Sequence, residues 1–95
     1  MNIAERNNII IQSLKPYQPE KIGIFGSYVR NENTENSDFD ILVKFKDTLS
    51  LLQLITIENY ISEKIGIKVD LVTEGAITNE KMRISIEKKL EIIYQ

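Results

Sequence analysis

At 95 residues the chain has enough material for one modest core, of a size that buries roughly two thirds of the unfolded surface, so a single domain over residues 1–95 is expected. An apolar fraction of 42% and a charged fraction of 27% exclude a disordered chain, a coiled coil and a disulfide mini-protein. Twelve Lys and Arg against 14 Asp and Glu leave a formal charge of −2, which gives no attraction for a polyanion, and no free nucleic acid is expected as a partner. Cysteine and histidine are both absent, so thiolate chemistry, zinc-histidine centres and Ser-His-Asp triads are excluded. Any catalysis must run on carboxylates, hydroxyls, Lys, Arg or a metal held by oxygen. The opening MNIAERNN has no basic region followed by an apolar run, and no stretch approaches the roughly 18 apolar residues of a membrane span. A cytoplasmic protein without membrane association is therefore expected.

In chain order, Ile3, Ile10, Ile11 and Leu14 fall at helical spacing over residues 2–14, and Pro16 and Pro19 close that segment. Residues 21–25 are Ile-rich and run into Gly26, as a strand entering a tight turn. The stretch 31–36 has turn composition and no periodicity. Over 38–45 a strand places Phe39, Ile41, Val43 and Phe45 on one face, and Asp38, Asp40, Leu42 and Lys44 on the other, turned away from the core. Ser50 caps a helix reaching Ile65, with Leu51, Leu54, Ile55, Ile61 and Ile65 inward and Gly66 as a left-handed stop. A third strand covers 67–72, with Asp70 opposite in facing to Ile67, Val69 and Leu71. From about 79 to 95, Met82, Ile86, Leu90 and Ile93 repeat at intervals of four, four and three, which predicts a last amphipathic helix. The expected order is α-β-β-α-β-α.

The acids are the chemically informative residues. Two carboxylates about 5 Å apart repel by roughly 3 kcal/mol at an effective dielectric of 20, and a divalent cation reverses the sign of that interaction. Asp38 and Asp40 on one strand, with Asp70 on another, suit an oxygen-seeking ion such as Mg²⁺ that keeps substrate phosphates in its shell. Two ions about 3.5–4 Å apart could share Asp38 and Asp40, with Asp70 on the acceptor side, provided the second and third strands are neighbours. Gly26 lets a backbone approach a phosphate, Ser27 adds a hydroxyl, and Arg30 can hold a phosphate oxygen. Taken singly, a Gly-Ser pair is usually a turn and an exposed Asp is usually only solvated; the joint arrangement is what points to a nucleoside triphosphate.

These residues resemble the DNA polymerase beta type nucleotidyltransferase superfamily, and within it the minimal nucleotidyltransferase branch. The resemblance rests on Gly26-Ser27-Tyr28-Val29-Arg30-Asn31, Ser37-Asp38-Phe39-Asp40-Ile41, Val69-Asp70-Leu71-Val72 and the terminal Ile93-Tyr94, and it spans nearly the whole chain. Asn31 stands where that branch usually has a second glycine; Asn is the other residue that readily adopts a left-handed conformation. The resemblance implies an α+β fold in which a short mixed sheet packs against helices in two layers. It further implies catalytic and metal-binding roles for Asp38, Asp40 and Asp70, nucleotide-binding roles for Gly26, Ser27, Arg30 and Ser37, two Mg²⁺ ions, and ATP as substrate. Such domains commonly act as antitoxins in a hetero-oligomer with a HEPN-domain RNase toxin, moving AMP from ATP to a toxin tyrosine. A domain this short has little room for an acceptor pocket of its own, which agrees with a protein acceptor. Two other readings stand beside this one: an antitoxin that neutralises by binding alone, and a small-molecule nucleotidyltransferase, whose known forms carry an extra acceptor domain.

Overall fold

In the computed structural model, which describes residues 1–29, 32–34 and 37–95, apolar alternation and helix punctuation set most of the architecture. Asn2 accepts a hydrogen bond from the Glu5 amide and starts α1 (Ile3–Leu14), which a 3₁₀ turn over Lys15–Tyr17 ends where Pro16 removes a donor. β1 (Pro19–Phe25) runs into Gly26 at φ +83°. β2 (Phe39–Phe45) lies antiparallel to it, and α2 (Leu51–Ile65) then carries the chain over to β3 (Val69–Thr73), which is parallel to β2. At the start of α2, Ser50 and Gln53 bond reciprocally to each other's backbone as a capping box, and Gly66 at φ +72° stops the helix.

The last segment departs from the expected single helix. α3 (Glu80–Lys88) is short, and β4 (Glu91–Tyr94) follows it and pairs antiparallel with the outer edge of β1, giving a sheet of order β3-β2-β1-β4. Glu91-Ile92-Ile93-Tyr94 is rich in β-branched and aromatic residues, and β1 offers it an unpaired row of backbone donors and acceptors. Those ladder bonds win over a helical repeat that Leu90 and Ile93 also satisfy.

α1 and α2 cover one face of the sheet. Ile10, Leu14, Ile22, Ile24, Phe39 and Ile41 are buried there together with Ile57 and Ile61 of α2. Leu51 and Ile55, expected inward, are 73% and 43% exposed. At 100° per residue they stand about 80° and 120° around the helix from Ile61, whereas Ile57, Ile61 and Ile65 form one stripe at intervals of four. The opposite face of the sheet is also covered in part, contrary to an acid face turned wholly to solvent: Leu42 is buried with Ile77 and Ile86 beneath α3. Among the described residues, no helix is long and apolar enough to cross a membrane.

Candidate functional site

The Gly-Ser turn and the first acid of β2 are built against each other. Phe25 and Asp40 are the last register pair between β1 and β2, so the chain leaves β1 directly beside the Asp40 side chain. A Cβ at Gly26 would overlap Asp40 Oδ2, and the positive φ at Gly26 is itself a conformation that L side chains rarely adopt. Position 26 therefore carries two independent requirements for glycine. Beyond it the turn is closed by the Glu32 amide, which donates to the Ser27 carbonyl at 2.9 Å.

Aromatic packing anchors the same turn from below. The Tyr28 ring lies 5.0 Å from that of Phe39 at 60°, and the Arg6 guanidinium of α1 sits 4.8 Å from the Phe39 centroid on the helix-covered face. Burial lowers the pKa of Arg6 from its ordinary value, an effect opposed by Glu91 and Tyr28. Phe39 is fully buried and separates Asp38 from Asp40, so its packing fixes where both acids leave the backbone.

The required neighbourhood of the second and third strands is present. β2 and β3 are adjacent and parallel, and Asp40 is in register with Asp70, which places both side chains on the same face, strand to strand, roughly 4.8 Å apart at the backbone. α2 holds β3 in that register. The Val69 amide donates to Ser62 Oγ at 2.9 Å and the Leu71 amide to Glu58 Oε2 at 2.8 Å, so the residues on either side of Asp70 are tied to the helix. Glu58 and Ser62 have a positioning role that sequence periodicity gives no hint of, because the bonds span 13 and seven residues to backbone groups.

Asp38 lies one residue before β2 and is half-buried, as is Asp40, while Asp70 is exposed. Among the described residues no three acidic side chains are gathered at metal-binding distance. Hard oxygen donors are nevertheless the right class for Mg²⁺, and the space that glycine leaves at position 26 is filled by one of them, the Asp40 carboxylate. Ser37 is engaged within its own loop: its hydroxyl accepts from the Thr34 amide at 2.8 Å, and its amide donates to the Thr34 carbonyl at 3.1 Å. Arg30 and Asn31 lie outside the described residues.

A cleft of about 410 Å³ opens over the Gly26 turn, with Phe25, Gly26, Ser27 and Asp40 as its sheet-side wall. Its other wall is α3 and the residue that caps it, through Met82, Ser85, Ile86 and the C-cap Lys89. Neither Asp38 nor Asp70 lines it. A larger cleft, about 620 Å³, lies at the far end of β2 and β3, between residues 43–49 and 73–76, and contains none of the candidate residues. The cleft of about 410 Å³ is the candidate site because it joins the Gly-Ser turn to a strand acid. The α3 residues escape a reading by apolar period, since Ser85 and Lys89 are polar members of a stripe recognised only by Met82 and Ile86.

Residues 8–93 match the family described as nucleotidyltransferase domain. A Methanocaldococcus jannaschii relative, named "putative protein adenylyltransferase", is 51% identical over 74 residues, covering 78% of this chain and 76% of that protein. Protein adenylyltransferase MntA of Thermococcus cleftensis is 43% identical over 74 residues, covering 78% of this chain and 72% of its own. In a crystal structure of a toxin-antitoxin with AMP-PNP, one chain superposes with a TM-score of 0.83 at 24% identity, over 93% of this chain and 72% of that one. A chain of the complex between tri-AMPylated Shewanella oneidensis HEPN toxin and MNT antitoxin gives 0.78 at 22% identity, over 96% and 71%. At those identities the structural likeness establishes the fold.

Proposed function

The chain belongs to the nucleotidyltransferase domain family, in its minimal MntA-like branch, and is a nucleotidyltransferase; from that premise we propose that it is an antitoxin that AMPylates a HEPN-domain toxin. ATP is the donor and a toxin tyrosine the acceptor. The tyrosyl oxygen loses its proton to water and attacks the α-phosphorus, a new P–O bond forms, and pyrophosphate leaves with the electron pair of the cleaved bond. The observation that carries the reading is Gly26 packed without a side chain against Asp40, with Asp70 in register on the next strand.

In this reading Gly26 allows the backbone to approach the phosphates, and Ser27, Arg30 and Ser37 bind them. Asp38, Asp40 and Asp70 would hold two Mg²⁺ ions, which when bound supply charge compensation for the pyrophosphate and lower the pKa of the acceptor hydroxyl. Asp70 is exposed on β3, the edge strand of the sheet, which supports its access to an acceptor brought by another protein. A relative named as a protein adenylyltransferase and a neighbouring structure containing an AMPylated HEPN toxin support the donor and acceptor classes.

Asp38→Asn combined with Asp40→Asn separates catalysis from masking. Co-expressed with a HEPN-domain toxin that the native chain binds and neutralises, the double variant is expected to bind the toxin as the native chain does and to lose protection of the cells. Retained protection with normal binding contradicts neutralisation by AMP transfer and leaves masking as the mechanism.

A further inference from the structure

Resting on the nucleotidyltransferase reading above, we propose that Lys89, assisted by Ser85, is a phosphate-binding residue of the nucleotide cleft, holding the polyphosphate of a nucleoside triphosphate against the Gly26 turn. Neither residue belongs to the Gly-Ser or Asp-x-Asp motifs.

The position follows from how α3 is docked. Met82, Ser85 and Ile86 lie on one stripe of α3, and Lys89, its C-cap, follows three residues after Ile86 and lines the same cleft. Ile86 is 7% exposed and buried with Leu42, so it fixes the rotation of that stripe toward the sheet. At the end of the helix, Leu90 occupies the space where position 23 has no side chain; a Cβ there would lie within 2.8 Å of Leu90 Cγ. That close approach draws the residue next to Lys89 onto β1, three residues before Gly26. Ser85 and Lys89, four apart, then stand over the turn from the side opposite Asp40.

The charge arrangement supplies the second argument. Lys89 is the only cation among the described residues lining the cleft, and its ammonium makes no ion pair or hydrogen bond with any of them. The Lys89 ammonium and the Ser85 hydroxyl on one wall, and the Ser27 hydroxyl and Asp40 carboxylate on the other, thus line a cleft of about 410 Å³, within the usual range of about 300–1,000 Å³ for small-molecule sites. A metal-bound polyphosphate matches that pattern: its cation meets the carboxylate, and its non-bridging oxygens accept from the ammonium and hydroxyls. Lys89 is exposed, so it contributes little packing of its own. Its neighbour Lys88 is a step of about 100° around the helix, does not line the cleft, and provides a control of equal charge.

The test is equilibrium binding of ATP in Mg²⁺ to the purified chain and to Lys89→Ala, Lys89→Arg, Ser85→Ala and Lys88→Ala, with thermal melts of each. Loss of one charge-assisted contact corresponds to roughly tenfold weaker binding. Lys89→Ala is expected to show that loss, Ser85→Ala a smaller one, Lys89→Arg a value within about threefold of native, and Lys88→Ala no change beyond twofold, all with native melts. Equal affinities for Lys89→Ala and Lys88→Ala overturn the proposal while leaving the nucleotidyltransferase reading intact. Failure of the native chain to bind ATP at millimolar concentration overturns both.

Discussion

Gly26 and Asp40 constrain each other: the turn can be tight only because position 26 lacks a Cβ, and the carboxylate lies where it does because that space is open. Gly26→Ala must therefore both adopt φ +83° and displace Asp40. The backbone cost is about 1–2 kcal/mol. The expected result is a modestly lowered melt and an AMP-transfer rate reduced far more than the melt accounts for, at least tenfold, measured on the same preparation. A rate that falls only in step with stability places Asp40 outside the chemistry. The Gly-Ser pair and the three acids are legible in the sequence because their residue types alone narrow the chemistry. Their mutual packing is not, since nothing in a sequence says which carboxylate a glycine faces. Ser37 is a milder case: its hydroxyl is already engaged by Thr34, a local bond that only coordinates reveal.

At the scale of elements, the tie between α3 and β1 decides the shape of the cleft. Gly23→Ala puts a methyl group into Leu90 and must lift the end of α3, which carries Lys89. Overpacking of this kind costs typically about 1–3 kcal/mol. The melt is expected to fall accordingly, and ATP affinity with it; Gly23→Ala combined with Leu90→Ala, which restores the space, is expected to recover part of the affinity. Unchanged ATP affinity in the single variant shows that α3 takes no part in binding. The bounds of α2 are readable, because Ser50 and Gly66 are local signals at its two ends, whereas its buried face is not fully so, since Leu51 and Ile55 fall outside the Ile57, Ile61 and Ile65 stripe. The final segment is not readable. Its intervals suit a helix and its composition suits a strand, and the choice falls to the unpaired edge of β1, a partner some seventy residues away in sequence. For the same reason the bonds from β3 to Glu58 and Ser62 are invisible to pattern reading, although they set the register of Asp70.

At the scale of the molecule, the sheet order β3-β2-β1-β4 gathers the turn after β1, Asp40 and Asp70 at one end of the strands, and leaves the larger cleft at the other. The overall fold class was accessible from alternation and spacing, since a chain of this length with three strands and amphipathic helices has few ways to bury its apolar faces. The proposed acceptor, a tyrosine brought by another protein, would meet the acids at that end of the strands. The most direct measurement of that account is incubation of the purified chain with labelled ATP, Mg²⁺ and a HEPN-domain protein that it binds, followed by gel autoradiography and mass analysis of the partner. Label on a tyrosine of the partner, in AMP-sized increments and absent with the Asp38→Asn, Asp40→Asn chain, is the predicted result. An unlabelled partner, from folded proteins that bind each other and with several nucleotides tried, contradicts it.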